Sequence, residues 1–325
     1  MIATLRRALP LAIAVALLAV PASANPKFWQ QEGWTTNFEM MSVSPDSILS
    51  GGPPKDGIPS IDAPKFVPVA DAGLDDREPV IGLEIDGDAR AYPLSILTWH
   101  EIVNDTVGDR PVIVTYCPLC NAALVFDRTV AGEPVEFGTT GKLRNSDLVM
   151  YDRASESWWQ QFTGEAIAGE RLGDRLELLP SRLESWADFR ERHPDGRVLV
   201  PNDPNFRDYG RNPYVGYDTA SYPFLYRGTA PNNVAAMERV VVVRNGDVPG
   251  VVTLSAVREA GTYDLDGTTL SWREGQASAL DSQTIADGRD VGSVVAQRDG
   301  VDVAYDVTFA FVAHAFHPDA PIRTE

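Results

Sequence analysis

From Pro79 onward the apolar positions come in short runs separated by turn residues. Val80 to Ile85 is followed by Gly87-Asp88 and then by Ala89 to Tyr92, the spacing of a β-hairpin. Val112 to Tyr116 and Ala122 to Phe126 repeat this pattern on either side of a Cys-Pro-Leu-Cys segment. The clearest helical periodicity lies in Leu94 to Val103 and in Leu183 to Arg192, the second starting near Ser181 and stopping before Pro194. Residues 25–77 hold no sustained period and are rich in Pro, Gly, Ser and Asp, so they read as an irregular lead-in over the surface. The expected class is α+β, β-rich, with a few short helices.

The chain also aligns weakly with itself at an offset of about 160 residues, the kind of signal that precedes any fold assignment. Glu78-Pro-Val80, Gly87-Asp88 and Leu94-Ser95 recur as Glu238-Arg-Val240, Gly246-Asp247 and Leu254-Ser255. Met150-Tyr-Asp152 through Phe162 parallels Ala304-Tyr-Asp306 through Phe316. The expectation is two weakly related β-rich halves from an internal duplication. The first spans residues 78–180 and carries the cysteines. The second spans 238–325 and ends in the His317 segment, and a helix with a Pro-, Asn- and Tyr-rich connection fills 181–237. In this alignment Ala260 falls near the place of His100, and no cysteine falls near Cys117 or Cys120, so the first half is expected to carry the chemistry.

Residues 1–24 read as a secretory signal, with Arg6 and Arg7 before the apolar run Leu9 to Val20 and Ala22-Ser23-Ala24 at the cleavage site. The expected product is periplasmic or otherwise exported, with no integral membrane segment once the signal is removed. The 46 acidic residues outnumber the 28 basic ones, for a net charge of −18, which argues against nucleic acid as a partner. The expected partner is a small molecule or a metal donor.

The chain has two cysteines, Cys117 and Cys120, with two residues between them. A crosslink closing so short a loop stabilises little, whereas a metal knuckle or a redox pair needs this spacing. In a thioredoxin-like site the motif would open a helix; here the apolar β-formers after Asn121 indicate a strand–turn–strand knuckle. One knuckle supplies half a metal site, so other ligands must complete it. Among four histidines, His100 is nearest in sequence to the pair, His317 is the next candidate and His314 the weaker one, while His193 before Pro194 suits a helix end. Glu101 could orient His100 or act as a base. Gly138 to Asp147 could line a pocket with Arg144, Asn145 and Asp147, or be a tight loop, and Trp158-Trp159-Gln160-Gln161-Phe162 could wall a site or fill a core. Asn121 stands where haem attachment needs His, and no nucleotide-binding loop occurs, so neither haem nor nucleotide is expected.

Ala91-Tyr-Pro-Leu94, Trp99-His-Glu-Ile-Val-Asn104, Val114-Thr-Tyr-Cys-Pro-Leu-Cys120, Asn145-Ser-Asp147, Tyr151-Asp-Arg153 and Ala315-Phe-His-Pro-Asp319 carry a resemblance. On these segments the chain resembles the exported bacterial and archaeal proteins catalogued as domain of unknown function 3179. The resemblance implies that His100, Glu101, Cys117, Cys120 and His317 belong to signature segments, and it lends no activity. His314 falls where such proteins commonly show Trp or another residue. The leading expectation is an exported metal-binding protein whose site joins Cys117, Cys120 and His100, with His317 as a further ligand and copper ahead of zinc or iron. The rivals are a thiol–disulfide oxidoreductase using the same cysteines, and a carbohydrate or small-ligand binding module in which the pair is a structural disulfide.

Overall fold

The computed structural model describes residues 25–325 except Asn245 and Asp247, so the signal-peptide expectation lies outside the described residues. Five sheets of four or five strands form a five-bladed, propeller-like arrangement with a few short helices between blades. Blade 1 is built on the hairpin Pro79–Ile85 and Asp88–Pro93, flanked by Arg182–Ser185 on one side and by Arg197–Val200 and Lys65–Pro68 on the other. Blade 2 is the meander Ile102–Val107, Arg110–Cys117 and Ala122–Asp127, with Leu178–Leu179 at its edge. Blade 3 runs from Phe137–Arg144 through Asp147–Asp152 and Trp158–Gln160 to Glu165–Ala168, with Ile48–Ser50 outside. Blade 4 holds Arg239–Val243 and Gly250–Thr253 between Tyr305–Phe309 and Ile322–Arg323, and blade 5 is the meander from Thr262–Leu265 to Val301–Asp302.

The expected β-rich class with few helices holds, but the two halves give way to five blades. Blades 1 and 4 do share one plan. Each has a hairpin followed by a seven-residue helix, and each takes a later strand–helix–strand unit that adds one antiparallel and one parallel strand. The later aligned pair breaks down, because Asp147–Asp152 is an inner strand of blade 3 while Tyr305–Phe309 is an edge strand of blade 4. The blades are tied together by polar contacts as well as by packing. Arg182 forks onto Asp302 at 2.6 and 2.7 Å, joining blade 1 to blade 5.

Local sequence accounts for most turns. Asp86 and Gly87 both have positive φ, as the hairpin of blade 1 requires, and Asn145 and Ser146 do the same in blade 3. A bulge between Thr139 and Lys142 re-aims the second hairpin; Gly141 sits in it at φ 71°, where a Cβ would run into the Pro53 carbonyl. Two helices differ from expectation. The first ends at His100, because Glu101 turns left-handed (φ 58°) and Ile102 begins a strand. The second starts at Trp186, capped by Ser185, whose side chain accepts the Asp188 N–H, while Arg182–Ser185 pairs with Pro79–Gly82. The lead-in is less irregular than expected, since Ile48–Ser50 and Lys65–Pro68 join blades as edge strands. Among the described residues no helix is long and apolar enough to cross a membrane.

Candidate metal centre

Blade 2 presents the cysteine knuckle. Strand Arg110–Cys117 delivers Cys117, a single 3₁₀ turn spans Pro118–Cys120, and Ala122–Asp127 returns antiparallel with Ala122 opposite Cys117. The reversal is made at Asn121, which sits at φ 51° and donates its backbone N–H to Pro118 O at 3.1 Å. Blade 4 then holds the turn from behind: the Asn121 amide donates to Val307 O at 2.8 Å, and Thr308 Oγ1 donates to Cys120 O at 2.7 Å. Both thiols are buried and not bonded to each other. The strand–turn–strand setting is the one expected from the residues after Asn121.

The third group comes from blade 3. The Asn145-Ser146 turn brings Asp147 to the knuckle, and Cys117 Sγ lies 3.7 Å from Ser146 O as donor. Asp147 is held by one oxygen: its Oδ2 accepts from Gln160 Nε2 at 2.6 Å and from the Phe162 N–H at 2.9 Å. Its Oδ1 is buried with no hydrogen-bond partner of ordinary geometry among the described residues, while interaction with the Cys120 and Cys117 thiols helps hold the carboxyl's rise in check. The two sulfurs and a carboxylate oxygen of Asp147 lie within 4.8 Å of one another.

Glu101 adds a second buried carboxyl close by. Its N–H bonds Leu97 O at 2.7 Å and its carbonyl accepts from Tyr116 N at 2.8 Å, which anchors the backbone in a left-handed conformation that non-glycine residues adopt at a cost. Burial, and then the Asp147 charge, push Glu101 up to about 8. Burial pushes Asp147 up to about 6 in spite of its hydrogen bonds. Burial raises both thiols as well, Cys120 strongly. Among the described residues no Lys or Arg forms an ion pair with Asp147 or Glu101. Four acidic groups are thus buried close enough to feel one another, and the only cation whose charge reaches Asp147 among the described residues, Arg144, forms no ion pair with it.

The expected histidines are placed elsewhere. His100 closes the Leu94–His100 helix, but its Nδ1 donates to Pro59 O at 2.7 Å and its Nε2 accepts from the Tyr209 hydroxyl at 2.8 Å. Its ring stacks with Tyr209, so both nitrogens are taken up by protein and it lies outside the three-residue cluster. His317 caps the Ala310–Phe316 helix with its ring centroid 5.9 Å from Phe162, and its Nε2 is buried without a partner among the described residues. Burial and the charges of Arg244 and Arg175 hold it down at about 4. It approaches the site through Phe162, one residue removed from Asp147, and is not in the cluster. His193 caps Trp186–Arg192, as its position before Pro194 suggested, and His314 lies on the Ala310–Phe316 helix.

Asp147 was legible only as a pocket-lining candidate. The signal that could have promoted it is the Asn-Ser-Asp turn followed by Trp-Trp-Gln-Gln-Phe, since Gln160 and Phe162 are what hold the carboxylate. Trp158 and Trp159 fill two different cores, and Gln161 Nε2 reaches Thr115 Oγ1 at 2.8 Å, so this aromatic strand is core and also the brace of the site. No curated protein and no solved structure matches the chain. A family model matches residues 55–320, most of its length, and the chain belongs to that family, described as protein of unknown function (DUF3179).

Proposed function

We propose that this is an exported metal-binding protein in which Cys117, Cys120 and Asp147 hold one divalent zinc or iron ion, with a fourth position open beside Glu101. The observation that carries this reading is Asp147, which brings a carboxylate oxygen within 4.8 Å of two buried thiols and whose buried Oδ1 has no hydrogen-bond partner of ordinary geometry among the described residues. Without a cation these groups are kept protonated at the expense of their hydration; a metal that binds them as thiolates and carboxylate removes that cost. Copper stood ahead while imidazole was expected beside the sulfurs. A carboxylate in that place favours zinc or iron(II). Three protein ligands and one open position is the pattern of zinc sites that act on a bound molecule.

A thiol–disulfide oxidoreductase needs an accessible thiolate of lowered pKa. Burial raises both thiols here, which weighs against that rival. The test is titration of the mature chain with cobalt(II), followed by elemental analysis after zinc or iron loading. Stoichiometric metal and intense sulfur-to-cobalt absorption are expected in the wild type and are lost in the Cys117→Ser, Cys120→Ser double variant. Equal, negligible metal in both proteins would sink the proposal. Asp147→Asn is expected to keep the absorption and weaken binding.

A further inference from the structure

The knuckle is sealed by blades 3 and 4, but one side of it borders a cavity of about 490 Å³. Leu119, between the two cysteines, lies in its wall with Leu143, Tyr214, Tyr217, Ala220 and Phe224. Every residue lining this cavity is uncharged. The volume falls in the range of roughly 300–1,000 Å³ common to small-molecule sites.

The wall is held in place rather than draped over the surface. The Tyr217 hydroxyl donates to Leu119 O at 3.0 Å and accepts the Phe224 N–H at 3.3 Å, while Ser146, next to Asp147, donates from Oγ to Phe224 O. Gly216 N bonds Asp281 O at 2.8 Å, and Asp218 is fixed from below by Arg239 and Arg289. Tyr214 belongs to both spaces. It lines the cavity, its hydroxyl has no hydrogen-bond partner among the described residues, and it lies close enough to Glu101 and Cys117 to feel their charges.

We propose that this cavity binds an uncharged aromatic compound carrying a hydroxyl group, its ring among Tyr214, Tyr217 and Phe224 and its hydroxyl turned toward Tyr214. Aromatic walls favour an aromatic ring. The acidic groups behind Leu119, and the lack of any lining Lys or Arg, disfavour an anion. The further step, that the ligand's hydroxyl reaches the open metal position, rests on the metal-binding reading above; occupation of the cavity does not.

The experiment is fluorescence titration of the mature chain with 2-naphthol, metal-free and cobalt-loaded, with naphthalene-2-sulfonate as the anionic comparison. Saturable binding of 2-naphthol is expected, roughly tenfold or more tighter than the sulfonate, and weakened about tenfold by Ala220→Trp, which fills the cavity. Should Ala220→Trp fail to fold, Leu143→Phe narrows the same cavity at another lining residue. Tyr214→Phe is expected to keep most of the ring's affinity while abolishing the change that 2-naphthol makes in the cobalt spectrum. Equal binding of the sulfonate, indifference to both filling variants, or a dimer that either variant dissociates would overturn the proposal. Loss of the cobalt signal with 2-naphthol binding intact defeats the metal reading and leaves the cavity standing; the reverse result defeats the cavity alone.

Discussion

Gln160 donates from Nε2 to Asp147 Oδ2 at 2.6 Å across two neighbouring strands of blade 3, and with the Phe162 N–H this bond fixes the orientation of the carboxylate beside the cysteines. Groups that orient a ligand in this way typically account for about 10–100-fold of metal affinity. Gln160→Ala is therefore expected to weaken cobalt binding by about that factor, while the sulfur-to-cobalt absorption at saturation persists. Competition with a chelator of known affinity measures it, and an unchanged affinity would show that the Phe162 N–H suffices.

Glu101 and Asp147 are both raised, to about 8 and about 6, from ordinary values of 4.5 and 3.8. A carboxyl raised in the folded state stabilises the fold most below its unfolded pKa, and this contribution is lost as pH rises through the folded value. The metal-free protein is thus expected to lose stability from about pH 4 to about pH 8, and Glu101→Gln to flatten the upper part of that decline. Metal should offset the decline, because its ligands must give up their protons. Calorimetric melting across this range checks the sign; parallel pH slopes for wild type and Glu101→Gln would refute it.

Asn121 unites the left-handed turn of the knuckle with a bond to Val307 O in blade 4. Asn121→Ala should strain the turn and leave a buried carbonyl unpaired, at a cost of about 2–4 kcal/mol. Asn121→Gly relieves the strain and loses only the bond, so it should cost less. Urea denaturation of the two variants separates the terms, and equal losses would assign the whole effect to the hydrogen bond.

Arg239 lies buried between Asp218 Oδ2 (2.9 Å) and Ser278 Oγ (2.8 Å), and Asp218 is fully enclosed. Arg289 also pairs with Asp218, at 2.9 Å, so Arg239→Met removes one of two cationic partners and should destabilise the protein by about 1–3 kcal/mol. Because Asp218 follows Tyr217, the same change should loosen the aromatic wall beside Leu119. Faster amide exchange across residues 213–225, measured below the melting transition, is the expected signature.

Much of blades 1 and 2 was legible in the residues. Val80 to Ile85 and Ala89 to Tyr92 do form the first hairpin, and Val112 to Tyr116 and Ala122 to Phe126 do flank the knuckle, because apolar runs and turn residues act over a few positions. Leu183 was read as helical because its apolar spacing suits either element, and pairing with Ile81 drew it into a strand. The expected site named the two cysteines that the fold places beside Asp147, and Glu101 close by. His100 was drawn to the pair by nearness in sequence, whereas in space its nitrogens are engaged by Pro59 and Tyr209.

Composition and local pattern were enough to establish a β-rich, acidic chain with all its thiol chemistry in one turn, since charge, strand period and cysteine spacing are properties of neighbouring residues. The count of five blades, the exchange of His100 for Asp147 beside the cysteines, and the tyrosine-walled cavity against Leu119 came only from folding. Each depends on contacts between residues about 30 to 190 positions apart, such as Ser146 against Cys117 and Thr308 against Cys120, and short-range periodicity says nothing about which distant strands will meet.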